Sequence, residues 1–309
     1  MLLTKLLYNS PMKILTLTLN PCVDRTLWVH DFGETPFHTD LQTGGKGVNV
    51  ARVLSNLGAD VTAVCPLGGE TGRQFRELAA SENIPLTWSE TACATRVIDT
   101  CVRESDYAQD VRYVRGGALT EAELDDLERV LLELLPGADC LAVCGSASCE
   151  AAAKRVPGLL RRAKAMGVKT LLDSNGPALL YGAEALPDLV KPNEDELYAL
   201  TGVQGDPSRA AKLLLDKGVG GVLASLGSVG CMWAGPDFEE YCPAPKIAAV
   251  NPVGSGDSFV AGFLYASSQG YAPKAALMLA CACGAANAAE FPAARVTREQ
   301  VEALLGWKI

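Results

Sequence analysis

The stretch Asn251-Pro252-Val253-Gly254-Ser255-Gly256-Asp257-Ser258-Phe259-Val260-Ala261-Gly262 joins a glycine turn to an apolar, helix-patterned run, with one carboxylate at the join. Two glycines two apart let consecutive backbone N–H groups turn toward one point. The helix that follows adds its unpaired N–H groups and the positive end of its dipole, so the loop is suited to hold an anion. Asp257 stands where a carboxylate would repel that anion. Proton abstraction beside a phosphate is a role that would justify an acid there. Taken alone, Asp257 more commonly marks an ordinary helix N-cap.

Other polar clusters punctuate the chain. Gly44-Gly45-Lys46-Gly47-Val48-Asn49 leads into a helix. It reads either as a tight turn or as a close approach to a hydroxylated ligand, with Asn49 donating and accepting and Lys46 available to an anion. It fits neither the standard phosphate loop nor the dinucleotide fingerprint, and Phe259 occupies the third glycine position that would give residues 254–262 the latter. Asp173-Ser174-Asn175-Gly176 ends a strand with residues that also simply form turns. In Lys191-Pro192-Asn193-Glu194-Asp195-Glu196, the acids suit a first helical turn. Asn193 and Glu196 also offer the hard oxygens that Mg2+ prefers, its other ligands being water and phosphate. Ser225-Leu226-Gly227-Ser228-Val229-Gly230 is a third glycine turn, suited to lie against a nucleotide.

These clusters need a scaffold that gathers them. Apolar residues alternating with Thr predict a strand at 14–19, stopped by Asn20-Pro21, which delivers Asp24 to a loop. A helical stripe of Val48, Ala51, Val53, Leu54 and Leu57 follows the first glycine cluster. Further strands are expected at 60–66, 140–144, 168–173, 186–190 and 222–225, and a hairpin to about 242. Helices are expected at 71–82, 120–135, 150–166, 194–201 and 207–217, and three more follow toward the C-terminus. Strand–helix alternation implies an α/β, doubly wound, mostly parallel sheet flanked by helices, with ligands at the carboxyl ends of its strands. Residues 22–43 and 91–116 break the rhythm with β-patterned insertions, too short for a domain, that together would form a small sheet over that edge, a lid. One domain is expected over 12–309, preceded by an extension at 1–11.

In this order the motifs resemble the ribokinase-like PfkB sugar kinases. The resemblance rests on Thr18-Leu19-Asn20-Pro21-Cys22-Val23-Asp24, on Gly44-Gly45-Lys46-Gly47-Val48-Asn49-Val50-Ala51, on Lys191-Pro192-Asn193-Glu194-Asp195-Glu196-Leu197 and on the stretch from Asn251. The first two are most similar to the branch of 1-phosphofructokinases and tagatose-6-phosphate kinases, and Asn251 to Gly256 lean toward the latter. The resemblance implies an ATP- and Mg2+-dependent kinase of a ketohexose phosphate. It implies Asp257 as general base, with backbone N–H groups of Gly254, Ser255 and Gly256 around the transferring phosphoryl group. Asp24, Gly44, Gly45 and Asn49 would hold the sugar, and Arg96, helped by Lys46, its phosphate. Lys191, Asn193, Ser225, Gly227, Gly230 and Asn287 would serve the nucleotide, and Asn193 and Glu196 would hold Mg2+ through water or phosphate. Some positions depart from the family pattern. Cys144-Gly145-Ser146-Ala147-Ser148-Cys149-Glu150 lacks a proline and a final glycine, Ile98 replaces a usual Asn, and the short lid offers His38 in place of an Arg. The departures fall on the acceptor side, so a kinase of the same fold for an unphosphorylated sugar or nucleoside is the rival enzyme. A catalytically silent sugar-phosphate sensor is the rival of another class.

Composition narrows the partners. In 309 residues the formal charge is −9 with no basic stripe, which argues against nucleic acid. Residues 1–11 hold only a short apolar run, and no membrane partner is expected. Eleven cysteines without a paired spacing and only two histidines, His30 and His38, argue against zinc and suit reduced thiols in the cytoplasm. The apolar β insertions lead us to expect a homodimer through the lids.

Overall fold

The computed structural model describes residues 12–309, so the extension expected at 1–11 lies outside the described residues. The first half of the chain runs β1 (Lys13–Thr18), β2 (Cys22–Val29), β3 (His38–Gly44), α1 (Lys46–Asn56), β4 (Asp60–Gly68), α2 (Gly69–Ser81), β5 (Leu86–Thr91), β6 (Arg96–Arg103), β7 (Gln109–Arg112), α3 (Glu121–Leu134) and β8 (Cys140–Cys144). Next come α4 (Glu150–Ala165), β9 (Lys169–Asp173), α5 (Gly176–Ala183), β10 (Leu189–Val190), α6 (Glu194–Thr201), α7 (Pro207–Asp216) and β11 (Val222–Ser225). The chain ends with β12 (Gly230–Ala234), β13 (Glu239–Pro243), α8 (Ser255–Ser268), α9 (Pro273–Ala288) and α10 (Arg298–Leu305).

Nine strands form the main sheet in the order β13-β12-β11-β10-β9-β8-β1-β4-β5. Neighbours pair in parallel except at β11–β12 and β12–β13. The central strand β1 shows why the sheet is covered on both faces. Ile14 joins the apolar cluster that contains residues of α1, α2, α8, α9 and α10. Leu15 and Leu17 join the cluster that contains residues of α3 to α7. Because side chains alternate along a strand, the two helical layers lie on opposite faces. α8 is buried on nearly every side from Asp257 onward, as its all-round apolar sequence requires.

A separate four-stranded sheet, ordered β3-β2-β6-β7, stands over the carboxyl edge. It reaches the main body through Trp28, whose ring centroid lies 4.6 Å from that of Phe291, and through Gln109, 3.4 Å from Asn251 Oδ1.

Local differences from the sequence expectation have local causes. The strand expected at 186–190 shrinks to Leu189–Val190, because Leu186 takes a positive φ of 51° and Pro187 follows it. β5 carries Thr87, Ser89 and Glu90, without the long apolar run that marks a central strand, and it occupies the sheet edge. The turn after Asp173 winds into α5, an eight-residue helix with Pro177 in its first turn.

Candidate active site

Residues that directly follow the strands converge on one cleft. Asn20 after β1, Gly145 and Ser146 after β8, Asn175 after β9 and Asn193 after β10 all line it, as does Ser225 at the end of β11. This is the edge at which doubly wound sheets bind ligands. The cleft measures about 1350 Å³, more than the ~1,000 Å³ upper range for a single small ligand. It therefore has room for two ligands side by side.

Its floor is the start of α8. Gly254 adopts φ +83°, which turns the chain into the helix. Ser255 N–H donates to Pro252 O at 3.1 Å, closing the turn, so this group is not free for an anion as expected. Gly256 and Asp257 are first-turn donors without an intrahelical acceptor. Asn287 on α9 braces the loop: Nδ2 donates to Val253 O at 2.8 Å and to Ser255 Oγ at 3.0 Å. Expected on the nucleotide side, Asn287 instead lies behind the loop, buried, because its amide is spent on backbone and neighbouring side chains.

Asp257 is 5 % exposed. Burial raises its pKa to about 7, against the lowering effect of Lys46, Lys191 and a hydrogen bond from Asn49. Asn49 Nδ2 donates to Asp257 Oδ2 at 2.8 Å. Asp173 acts in the opposite sense, raising the Asp257 pKa. Its carboxylate is wholly buried, with Oδ1 3.3 Å from Lys46 Nζ and 3.2 Å from Lys191 Nζ. Lys46 is consequently held protonated, its pKa pushed up chiefly by Asp173. The floor thus presents a buried carboxylate of near-neutral pKa beside two ammonium groups and a helix N-terminus. That combination suits an anion losing or gaining charge next to a proton acceptor.

Most residues singled out in the sequence reach this cleft: Asp24, Gly45, Lys46, Asn49, Arg96, Lys191, Asn193, Ser225, Gly227, Gly230, Gly254, Ser255, Gly256 and Asp257. Gly44, Glu196 and Asn287 are not among its lining. Gly44 lies behind Asp24, where a Cβ would sit 2.3 Å from Asp24 Oδ2. Burial pushes the Asp24 pKa up, opposed by the Cys22 thiol, which donates to Oδ1 at 3.2 Å. Asn193 and Glu196 form a reciprocal capping box: Asn193 Oδ1 accepts Glu196 N–H at 2.8 Å, and Glu196 Oε2 accepts Asn193 N–H at 2.9 Å. The other carboxylate oxygen of Glu196 lies 3.9 Å from Lys46 Nζ. Arg96 donates to Val114 O at 3.1 Å and Asn20 O at 3.0 Å, while its buried Nε has no partner.

Two residues that matter escaped the sequence reading. Asp173 was legible only as a turn-former. Arg52 was hidden inside the apolar stripe of α1, where a charged residue three positions from Asn49 was the available signal. Its Nη1 donates to Asn49 Oδ1 at 2.8 Å, and its guanidinium pairs with Glu82 at 3.0 Å.

Fold and site define a ribokinase-like α/β protein with a β lid. The crystal structure of phosphofructokinase-2 from Escherichia coli in complex with potassium aligns with a TM-score of 0.88 at 28% identity, over 96% of this chain and 98% of that one. The pattern of the pfkB family carbohydrate kinases matches residues 16–297, and the chain belongs to that family. It is 32% identical over 300 residues to 1-phosphofructokinase of Vibrio cholerae serotype O1, covering 94% of each chain. It is 33% identical over 261 residues to tagatose-6-phosphate kinase of Staphylococcus epidermidis, covering 81% of this chain and 83% of that one.

Proposed function

We propose that the protein transfers the γ-phosphoryl group of ATP to a hydroxyl of a ketohexose phosphate. The observation that carries this reading is Asp257, a buried carboxylate with a pKa near 7 at the N-terminus of α8, held by Asn49 and facing a cleft large enough for two substrates. Asp257 takes the proton from the attacking hydroxyl as its oxygen bonds to the γ-phosphorus. The bond from that phosphorus to the β–γ bridging oxygen breaks, and ADP leaves. The first-turn N–H groups of α8 and the Lys46 and Lys191 ammonium groups stabilise the charge spread over the transferring group. Asp24, Gly45 and Asn49 hold the sugar hydroxyls, Arg96 the acceptor phosphate, and Ser225, Gly227 and Gly230 the nucleotide.

Among the described residues no cluster of three or more His, Cys, Asp or Glu side chains forms a metal cage. Asn193 lines the cleft and Glu196 keeps one carboxylate oxygen outside the cap. This pair fits Mg2+ held mainly by water and phosphate. Once bound, the ion would neutralise charge on the nucleotide phosphates.

A second reading is favoured by one observation: both terminal nitrogens of Arg96 are committed to backbone carbonyls. On that reading the acceptor is an unphosphorylated sugar. A panel of phosphorylated and free ketohexoses with ATP and Mg2+, followed by coupled ADP release and ranked by kcat/KM, separates the two. No ADP release from any acceptor would instead leave a sugar-phosphate sensor.

We also infer one domain over 12–309 working in the cytoplasm as a homodimer. Among the described residues no helix is long and apolar enough to cross a membrane. On the lid, Asp24 and Thr26 face the cleft, so alternation turns Arg25 and Leu27 outward, and Leu27 stays half-buried. An outer lid face of this kind suits a second copy. Light scattering that returned a monomer would sink the dimer.

A further inference from the structure

Three thiols from three elements meet at one wall of the cleft. Cys231 on β12 stands opposite Cys242 on β13 in the antiparallel register. The Sγ of Cys281 on α9 lies 3.4 Å from the Sγ of Cys231 and 3.9 Å from the carbonyl oxygen of Cys242. All three are free thiols and buried, yet Cys281 lines the cleft with Ser225, Gly227 and Gly230. Buried thiols elsewhere in the fold, such as Cys65, are isolated by apolar packing that pushes their pKa up. Isolated buried thiols are inert.

We propose that Cys231, Cys242 and Cys281 form a thiol-oxidation site, at which a hydroperoxide entering through the cleft closes a reversible disulfide and slows turnover. Cys281 is the attacking group, because of the three it is the one that lines the cleft, with its Sγ 3.4 Å from the Sγ of Cys231. Its thiolate attacks one peroxide oxygen, the O–O bond breaks, and the departing hydroxide takes up the proton the thiol released. This leaves a sulfenic acid and one water. The sulfur of Cys231 then attacks the sulfenic sulfur, and the hydroxyl leaves as a second water with the proton of that thiol. Two thiols and one hydrogen peroxide give one disulfide and two waters, with two electrons passing to the peroxide.

The mechanical consequence follows from bond length. A disulfide measures about 2.05 Å, so a bond between Cys281 and Cys231 draws α9 toward the hairpin of β12 and β13. α9 also carries Asn287, which holds Val253 and Ser255 in the loop before α8. Oxidation therefore reaches the floor of the cleft. The thiol geometry is independent of the proposed function, and the chemical readout below does not depend on turnover.

The test is hydrogen peroxide treatment of the whole protein, trapping of free thiols with N-ethylmaleimide, digestion without reductant and mass mapping. The expected product is a cross-linked peptide pair about 2 Da lighter than its parts, joining Cys281 and Cys231. ADP release should fall about fivefold or more and recover with dithiothreitol. Cys281→Ser should lose both the cross-link and the peroxide sensitivity, and Cys231→Ala, which removes the resolving thiol, should lose the cross-link as a second variant in case the first folds poorly. The proposal is overturned by full alkylation of all three thiols at doses that oxidise Cys149, by a disulfide that leaves turnover unchanged, or by Cys281→Ser retaining its sensitivity.

Discussion

Asn49 donates its side-chain amide to Asp257 Oδ2 at 2.8 Å across 208 positions of chain. Arg52 decides which way that amide points. Its Nη1 occupies Asn49 Oδ1 at 2.8 Å, so the NH2 group is left to face the carboxylate. Glu82 and Thr43 hold Arg52 in turn, Glu82 Oε2 accepting from Nε at 3.2 Å and Thr43 Oγ1 from Nη2 at 2.6 Å. A buried and fully paired network of this kind fixes one orientation of its members.

The donor from Asn49 stabilises the ionised form of Asp257, so removing it raises a pKa that already stands at about 7. Asn49→Ala should shift the acid limb of the kcat profile to higher pH, so that the loss is about tenfold or more near pH 7 and smaller near pH 9. Arg52→Lys should move the limb the same way, and less far, because Lys can still donate to Asn49 Oδ1. Profiles that drop without shifting would show that the network serves stability alone.

Much of this arrangement was legible in the sequence, and the reason is locality. Glycine turns, the first turn of α8 and the cap of α6 are set by residues within a few positions of each other. Strand–helix alternation then places their loops at one edge. The buried charges were not legible, because Lys46 and Asp173 lie 127 positions apart and meet only once β8 and β9 take their places in the sheet. Asn193 and Glu196, only three apart, show the local kind of signal, and the geometry has them capping each other. Asn287 was expected at the nucleotide from the resemblance alone, and the structure spends its amide on the loop before α8.

Replacing the base should separate activity from stability. Asp257→Asn removes the proton acceptor, and kcat should fall about 10²- to 10⁴-fold. The native pKa of Asp257 is raised from 3.8 to about 7, so between those values the folded chain binds more protons than the unfolded chain. Its contribution to stability is therefore full below 3.8, declines as pH rises and is gone above about 7. Asn carries no such titration. The variant should unfold at higher temperature than the native protein at pH 8, with the difference vanishing toward pH 4. A tenfold change in proton affinity is worth about 1.4 kcal/mol, so a gap of a few kcal/mol at pH 8 is the upper expectation. Melting curves at the two pH values check it.

Gly230 lines the cleft on the side proposed for the nucleotide and opens the hairpin that carries Cys231. Its φ is +129°, and a Cβ there would lie 2.1 Å from the backbone oxygen of Cys242. Backbone cannot yield as a flexible side chain can. Gly230→Ala should cost about 1–3 kcal/mol and raise the KM for ATP more than that for the acceptor. Calorimetry with paired KM measurements checks it, and an unchanged melting temperature would remove the steric argument.

Under the proposed function, Arg96 is the residue that separates the two acceptors. In this structure it ties the exit of β1 to the segment after β7 through Asn20 O and Val114 O, and its Nε remains buried without a partner. A guanidinium held by neutral carbonyls can exchange them for a phosphate, which adds attraction between opposite charges and can accept two parallel N–H bonds. Arg96→Ala then removes a charged contact worth about 1.5–3 kcal/mol, which raises KM for a phosphorylated ketohexose about 10- to 150-fold. The KM for the free sugar should scarcely change, since that ligand gains nothing from the exchange. Equal effects on both would mean that Arg96 only braces the lid. The acceptor would then be the unphosphorylated sugar, with the two carbonyls as the permanent partners of Arg96.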